Sequence, residues 1–101
     1  MTAAELRDSL LRIVFERPVI AGTMEDGLDI LLLHLDRDMP PAAAAMAGRR
    51  AVIAAAVQEM VAAGLAYEPV RLPPGALQCH WHLELTARGQ AAAQQSYTSQ
   101  R

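Results

Sequence analysis

Apolar positions recur at helical spacing from the start of this chain. Over 3–16, Leu6, Leu10, Ile13 and Val14 fall on one face with Leu11 and Phe15 beside them, which predicts a helix with a wide apolar stripe. Pro18 stops that helix and Gly22 marks a loop. Thr23 followed three residues later by Asp26 has the form of a helix cap, and Glu25 and Asp26 suit the positive end of a helix dipole. A second helix is therefore expected over 24–37, with Leu28, Leu31, Leu32 and Leu35 inward and Asp29, Asp36 and Arg37 outward. Ile30 and Leu33 widen its stripe, which makes it a central helix. Pro40 and Pro41 restart the chain, residues 42–47 predict a short third helix, and Gly48 supplies a turn. A fourth helix over 49–63 carries Ile53, Val57 and Met60 as its inward ladder and ends at Gly64.

The period then changes from helical to two. Cys79, Trp81, Leu83 and Leu85 alternate with His80, His82 and Glu84, the pattern of a half-buried antiparallel strand. Its expected partner is the stretch 67–72, with 73–78 as the hairpin tip, and an edge position accommodates Pro69. Thr86 is placed to cap a last helix running to about Gln95, followed by a fraying polar tail over 96–101. There is no internal repeat.

Composition narrows the classes. With 101 residues the chain is one domain's worth, and 52% apolar residues are enough for a folded core, built from aliphatic side chains because aromatics are only 4%. All nine basic residues are Arg; against eleven Asp and Glu they leave a net −2, too little for a general polyanion binder or a polybasic membrane anchor. The charge is uneven. Residues 1–39 hold four Arg against eight acids, whereas 40–89 hold four Arg against three, so a partner-facing surface is expected in the second half. One Cys excludes a disulfide framework and fits a reducing compartment. No apolar run approaches a membrane span and none has the form of a signal peptide, so a cytoplasmic location is expected.

Three short motifs carry a family resemblance: Met46-Ala47-Gly48-Arg49-Arg50, a small-residue turn into a helix; Met60-Val61-Ala62-Ala63-Gly64-Leu65, a helix exit; and Leu85-Thr86-Ala87-Arg88-Gly89, a strand ending. In that order and spacing, 31–89 resembles a winged helix-turn-helix domain of the kind found in MarR-like and PadR-like bacterial regulators. The resemblance covers about 60 of the 101 residues. It implies an α+β, mostly α fold: a winged helix-turn-helix with an extra N-terminal helix, a C-terminal helix and a two-stranded wing. The chain then divides into an N-terminal helix and loop over 1–22, the winged core over 23–89, and the end of the last helix with a tail over 90–101.

That fold implies double-stranded DNA as the partner of a small homodimeric transcriptional regulator, most simply a repressor. Arg49 and Arg50, at the start of the recognition helix, would reach guanine edges or clamp phosphates. Ala51 and Ala54 could meet thymine methyls, and Arg71, His80 and Arg88 would touch the backbone from the wing and the last helix. The broad stripe of the first helix, Leu6, Leu10, Leu11, Val14 and Phe15, is assigned to dimerisation, which would set two recognition helices about one DNA turn apart.

Other readings weigh against parts of this picture. Outward positions of the fourth helix, namely Ala51, Val52, Ala54, Ala55, Gln58, Glu59, Val61 and Ala62, offer few groups able to read bases. The rival is a winged-helix protein-interaction module, in a plasmid, phage or chromosome-maintenance complex, which docks its partner on the Ala/Val face of 51–62. His80 and His82 share a strand face with Glu84, but Cys79 points away and no second ligand pair exists, so no metal site and no cofactor are expected. No phosphate loop, metalloprotease motif or nucleophile elbow occurs, and an enzyme is not expected.

Overall fold

The computed structural model describes residues 3–36, 43–69 and 81–99. The element order is α1 (Ala3–Glu16), β1 (Val19–Ala21), α2 (Met24–Leu35), α3 (Ala43–Ala62), β2 (Trp81–Leu83) and α4 (Ala87–Ser99). The chain is mostly helical with a small antiparallel sheet, in which Val19, Ile20 and Ala21 pair with Leu83, His82 and Trp81.

The helices begin and end where local chemistry dictates. Thr23 caps α2 by accepting the Asp26 amide at 3.1 Å, with Glu25 and Asp26 in the first turn. At the far end of α3, Gly64 adopts φ +76°, the Gly64 amide reaches Val61 O and the Leu65 amide reaches Met60 O. That is a Schellman ending, and only glycine takes this φ without strain. The core follows the helical stripes: Leu10, Leu11 and Val14 from α1, Leu28, Leu31 and Leu32 from α2, and Ile53, Val57 and Met60 from α3. Trp81, Leu83 and Leu85 close it from the sheet side, while His82 and Glu84 face solvent. The Trp81 ring lies directly on α2, where a Cβ at Gly27 would come within 2.1 Å of Cε3.

The sheet holds one strand that the alternation did not reveal. Among the described residues β2 pairs with β1, a three-residue segment between Pro18 and Gly22 that reads as loop in sequence. On the other side, Ala66 bridges Leu85 and the Tyr67 amide reaches Glu84 O, so the chain leaving α3 does run beside the later strand. The remainder of the expected hairpin, 70–80, lies outside the described residues.

Three further expectations change. Gly48 does not break the chain: α3 is one helix of 20 residues, and the short helix expected over 42–47 is its first turns. A glycine in a helix costs only about 1 kcal/mol relative to alanine, and the Ala-rich surroundings outweigh that. Leu33, expected to widen the buried stripe of α2, is 72% exposed. The last helix runs to Ser99, and what reads as a polar tail is partly core: Ser96 is buried, and Arg12 donates to its Oγ. Tyr97 donates to Glu16 Oε1 at 2.8 Å and meets the Phe15 ring edge-on, with centroids 6.0 Å apart.

The seam between α1 and α4 explains the wide stripe on α1. Leu10, Leu11 and Val14 are at most 2% exposed within the single chain, and Leu6 and Phe15 are partly buried against the same core. The breadth that suggested a second subunit is covered by α2, α3 and α4 of this one. Thus α1 is part of the central core.

Candidate nucleic-acid interface

The helix-turn-helix reading directs attention to the face formed by α2 and the first half of α3. Continuity of α3 moves Arg49 and Arg50 from a helix start to its second turn. There both point back to α2. Arg50 forms a two-pronged pair with Asp29, from Nε to Oδ1 at 2.6 Å and from Nη2 to Oδ2 at 2.5 Å. Arg49 donates from Nη2 to Asp36 Oδ1 at 2.8 Å, and its Nη1 meets Oδ2 of the same carboxylate. Asp36 is the C-terminal cap of α2, so the Arg49 cation also sits at the negative end of that helix.

These pairs set the local electrostatics. The Arg50 hydrogen bond holds the Asp29 carboxyl below its ordinary value of 3.8. In turn Asp29, by hydrogen bond and charge, raises Arg50, with smaller contributions from the charges of Glu25 and Asp26. Arg50 therefore lies among three carboxylates, and its neighbourhood is net negative.

The remaining positions assigned to DNA divide unevenly. On α3, Ala51 is exposed, whereas Ala54 is partly buried against the core. Val61, expected outward, is partly buried as well. Arg88 is exposed at the start of α4, and its Nη1 lies 3.7 Å from where a Gly64 Cβ would stand, which puts it beside the far end of α3. Arg71 and His80, with Cys79 and the hairpin tip, lie outside the described residues. His82 Nε2 lies 3.8 Å from Glu84 Oε2, both exposed. Among the described residues, no group of three His, Cys, Asp or Glu side chains comes together as a metal site, and no helix is long and apolar enough to cross a membrane.

Two of the sequence motifs are halves of one joint. Thr86 donates from Oγ1 to Gly64 O at 2.6 Å, accepts the Gly89 amide at 3.1 Å, and its own amide reaches Leu65 O. Gly89 is obligatory there, because a Cβ would lie 1.8 Å from Leu65 O. The Gly64-Leu65 helix exit and the Thr86-x-x-Gly89 strand ending therefore lock the ends of α3 and α4 together. Their pattern reports this joint.

The concave surface nearest the arginines is an open groove of about 500 Å³ between α1, the end of α2 and α3. Leu6, Leu35, Val52 and Ala56 form its apolar wall, with Arg49 and Asp36 at one end and Glu59 at the other. Val52 is 56% exposed. A second concavity, between α1, β1 and α2, is rimmed by charges of both signs, Arg12, Arg17 and Glu16. In it, Arg12 and Glu16 are already engaged by Ser96 and Tyr97. Sequence reasoning missed the partners of the two arginines. The available signal was the i, i+7 spacing of Asp29 and Asp36, which puts both on one face of α2.

Comparison with known proteins adds no relative: no protein-family model, no curated protein and no solved structure matches this chain.

Proposed function

We propose that this chain is a winged-helix-type domain serving as a protein-interaction module, whose α3 face receives a protein surface and not the edges of DNA bases. The winged-helix part of the reading is supported by connectivity. A strand between the first two helices pairs with the strand that precedes the last helix, and the segment leaving the third helix bridges that same strand.

The observation that carries the functional part is the engagement of Arg49 and Arg50 by Asp36 and Asp29. Base readout would require lifting each guanidinium off its carboxylate and leaving that carboxylate facing phosphates. Around Arg50, Glu25 and Asp26 add to the repulsion. The exposed side chains of α3 beyond this point, Ala51, Val52, Ala55, Gln58, Glu59 and Ala62, include no cation. An exposed valine beside an apolar groove is instead what a protein partner desolvates.

A salt-titrated mobility shift tests this reading, using duplex fragments from around the gene and scrambled controls. Binding is expected to be weak and indifferent to sequence, with Arg49→Ala and Arg50→Ala leaving it unchanged. A sequence-specific complex that these two substitutions abolish would overturn the proposal and restore the regulator reading.

A further inference from the structure

We infer that the partner on the α3 groove is a second copy of this chain, seated with the two α3 helices antiparallel about a twofold axis midway between Val52 and Ala56. This names the occupant of the surface proposed above and rests on that reading. Arg49 and Glu59 stand at opposite ends of the same groove, ten residues apart on α3, or about 15 Å along its axis. In an antiparallel pair, residues whose numbers sum to a constant lie opposite each other. The register that sets Arg49 against Glu59 of the second copy has the sum 108. The same register sets Val52, exposed at 56%, against Ala56 of the second copy, where the groove wall is cut back to a methyl group.

Charge and shape thus select one alignment, and twofold symmetry repeats each contact. Arg49 can serve it without leaving Asp36, because both Nη nitrogens are on that carboxylate and Nε lies outside the pair. Leu6 from α1 and Leu35 from α2 line the same groove and extend the apolar surface beyond α3. A dimer so built covers the face that a recognition helix would offer to DNA. It also relocates the dimer contact from the inward stripe of α1 to the outward face of α3.

Sedimentation of the full chain at tens of micromolar tests the inference. The expected mass is about 22 kDa, twice the 10.9 kDa chain. Glu59→Arg, which opposes Arg49 of the second copy, and Val52→Glu are each expected to weaken association about tenfold or more. Both positions are exposed, and unchanged far-UV circular dichroism spectra would establish that folding is intact. In a Cys79→Ser background, Ala55→Cys lies one residue from the axis and is expected to form a disulfide-linked dimer on oxidation. The exposed α4 substitution Gln90→Cys is not.

A monomer at these concentrations overturns the inference, as does a dimer indifferent to Glu59→Arg and Val52→Glu, or equal cross-linking at the two cysteine positions. The mobility shift on the same preparations separates the two levels. A monomer without specific DNA affinity removes self-association alone, whereas an arginine-dependent specific complex removes the interaction reading with it.

Discussion

Substituting Gly89 by alanine sets two terms of opposite sign against each other, and the structure says which wins. Alanine favours a helix over glycine by about 1 kcal/mol, so propensity alone predicts a more stable α4. The new Cβ, however, would stand 1.8 Å from Leu65 O, 2.8 Å from Leu65 C and 3.2 Å from Leu85 Cβ. The first obstacle is backbone and cannot rotate away, so α4 must retreat by more than an ångström. Overpacking of this kind costs about 1–3 kcal/mol. Retreat also loosens the bond from the Thr86 amide to the same Leu65 oxygen, a further loss of about 1 kcal/mol. The net expectation is destabilisation by about 2 kcal/mol, a fall in Tm of about 8–16 °C for a domain this size. Thermal circular dichroism measures it, with Gly22→Ala as the control. Nothing lies within 4 Å of a Cβ at Gly22, and a small gain of about 0.4–1 kcal/mol is expected there. A Gly89→Ala protein melting at or above the parent temperature would refute the account of the α3–α4 joint.

Gly27→Ala should drive the Trp81 ring from its seat on α2; red-shifted fluorescence from the single tryptophan, with a loss of about 1–3 kcal/mol, is the expected readout. Tyr97→Phe keeps the ring contact with Phe15 but deletes the bond to Glu16, and chemical denaturation should register about 0.5–1 kcal/mol. Burial, then Glu16, raises the Tyr97 phenol above its ordinary 10.0, so in a Tyr67→Phe background phenolate absorbance should appear only at higher pH than in a model tyrosine. Carbon-detected NMR should find Asp29 titrating below 3.8, with Arg50→Gln returning it toward that value. The pair's contribution is complete above the ordinary carboxylate range and is lost as pH falls through the lowered value, so Arg50→Gln should flatten the acid limb of stability below about pH 4.

What the sequence discloses and what it hides follow from the range of the interactions involved. The bounds of α1, the Thr23 cap, the inward ladder Ile53, Val57 and Met60, and the Gly64 ending rest on residues within a turn or two of one another, and all stand as the pattern suggests. The strand Val19–Ala21 is too short to display a period of two, and only its pairing with residues some 60 positions later makes it a strand. Gly48 misleads for a different reason. Glycine punctuates a chain where φ must be positive, and Gly64, not Gly48, meets that need. Ser96 and Tyr97 look like tail because their polar groups are satisfied by Arg12 and Glu16, more than 80 residues away.

The two arginines show the same limit at the candidate site. In sequence they are cations near a helix start, in a half of the chain with a slight basic excess. In the structure two of that half's four arginines are matched to the acidic first half: Asp29 and Asp36 come from α2, Arg49 and Arg50 from α3. The complete absence of lysine fits such a use. Asp29 is gripped at both oxygens by two nitrogens of one planar guanidinium, a geometry that a single ammonium cannot supply. Arg12, reaching Ser9 and Ser96 from one side chain, uses the same fork to join α1 to α4. Arginine here joins helices, and the surface proposed for a partner is the apolar groove beside the Arg49–Asp36 joint.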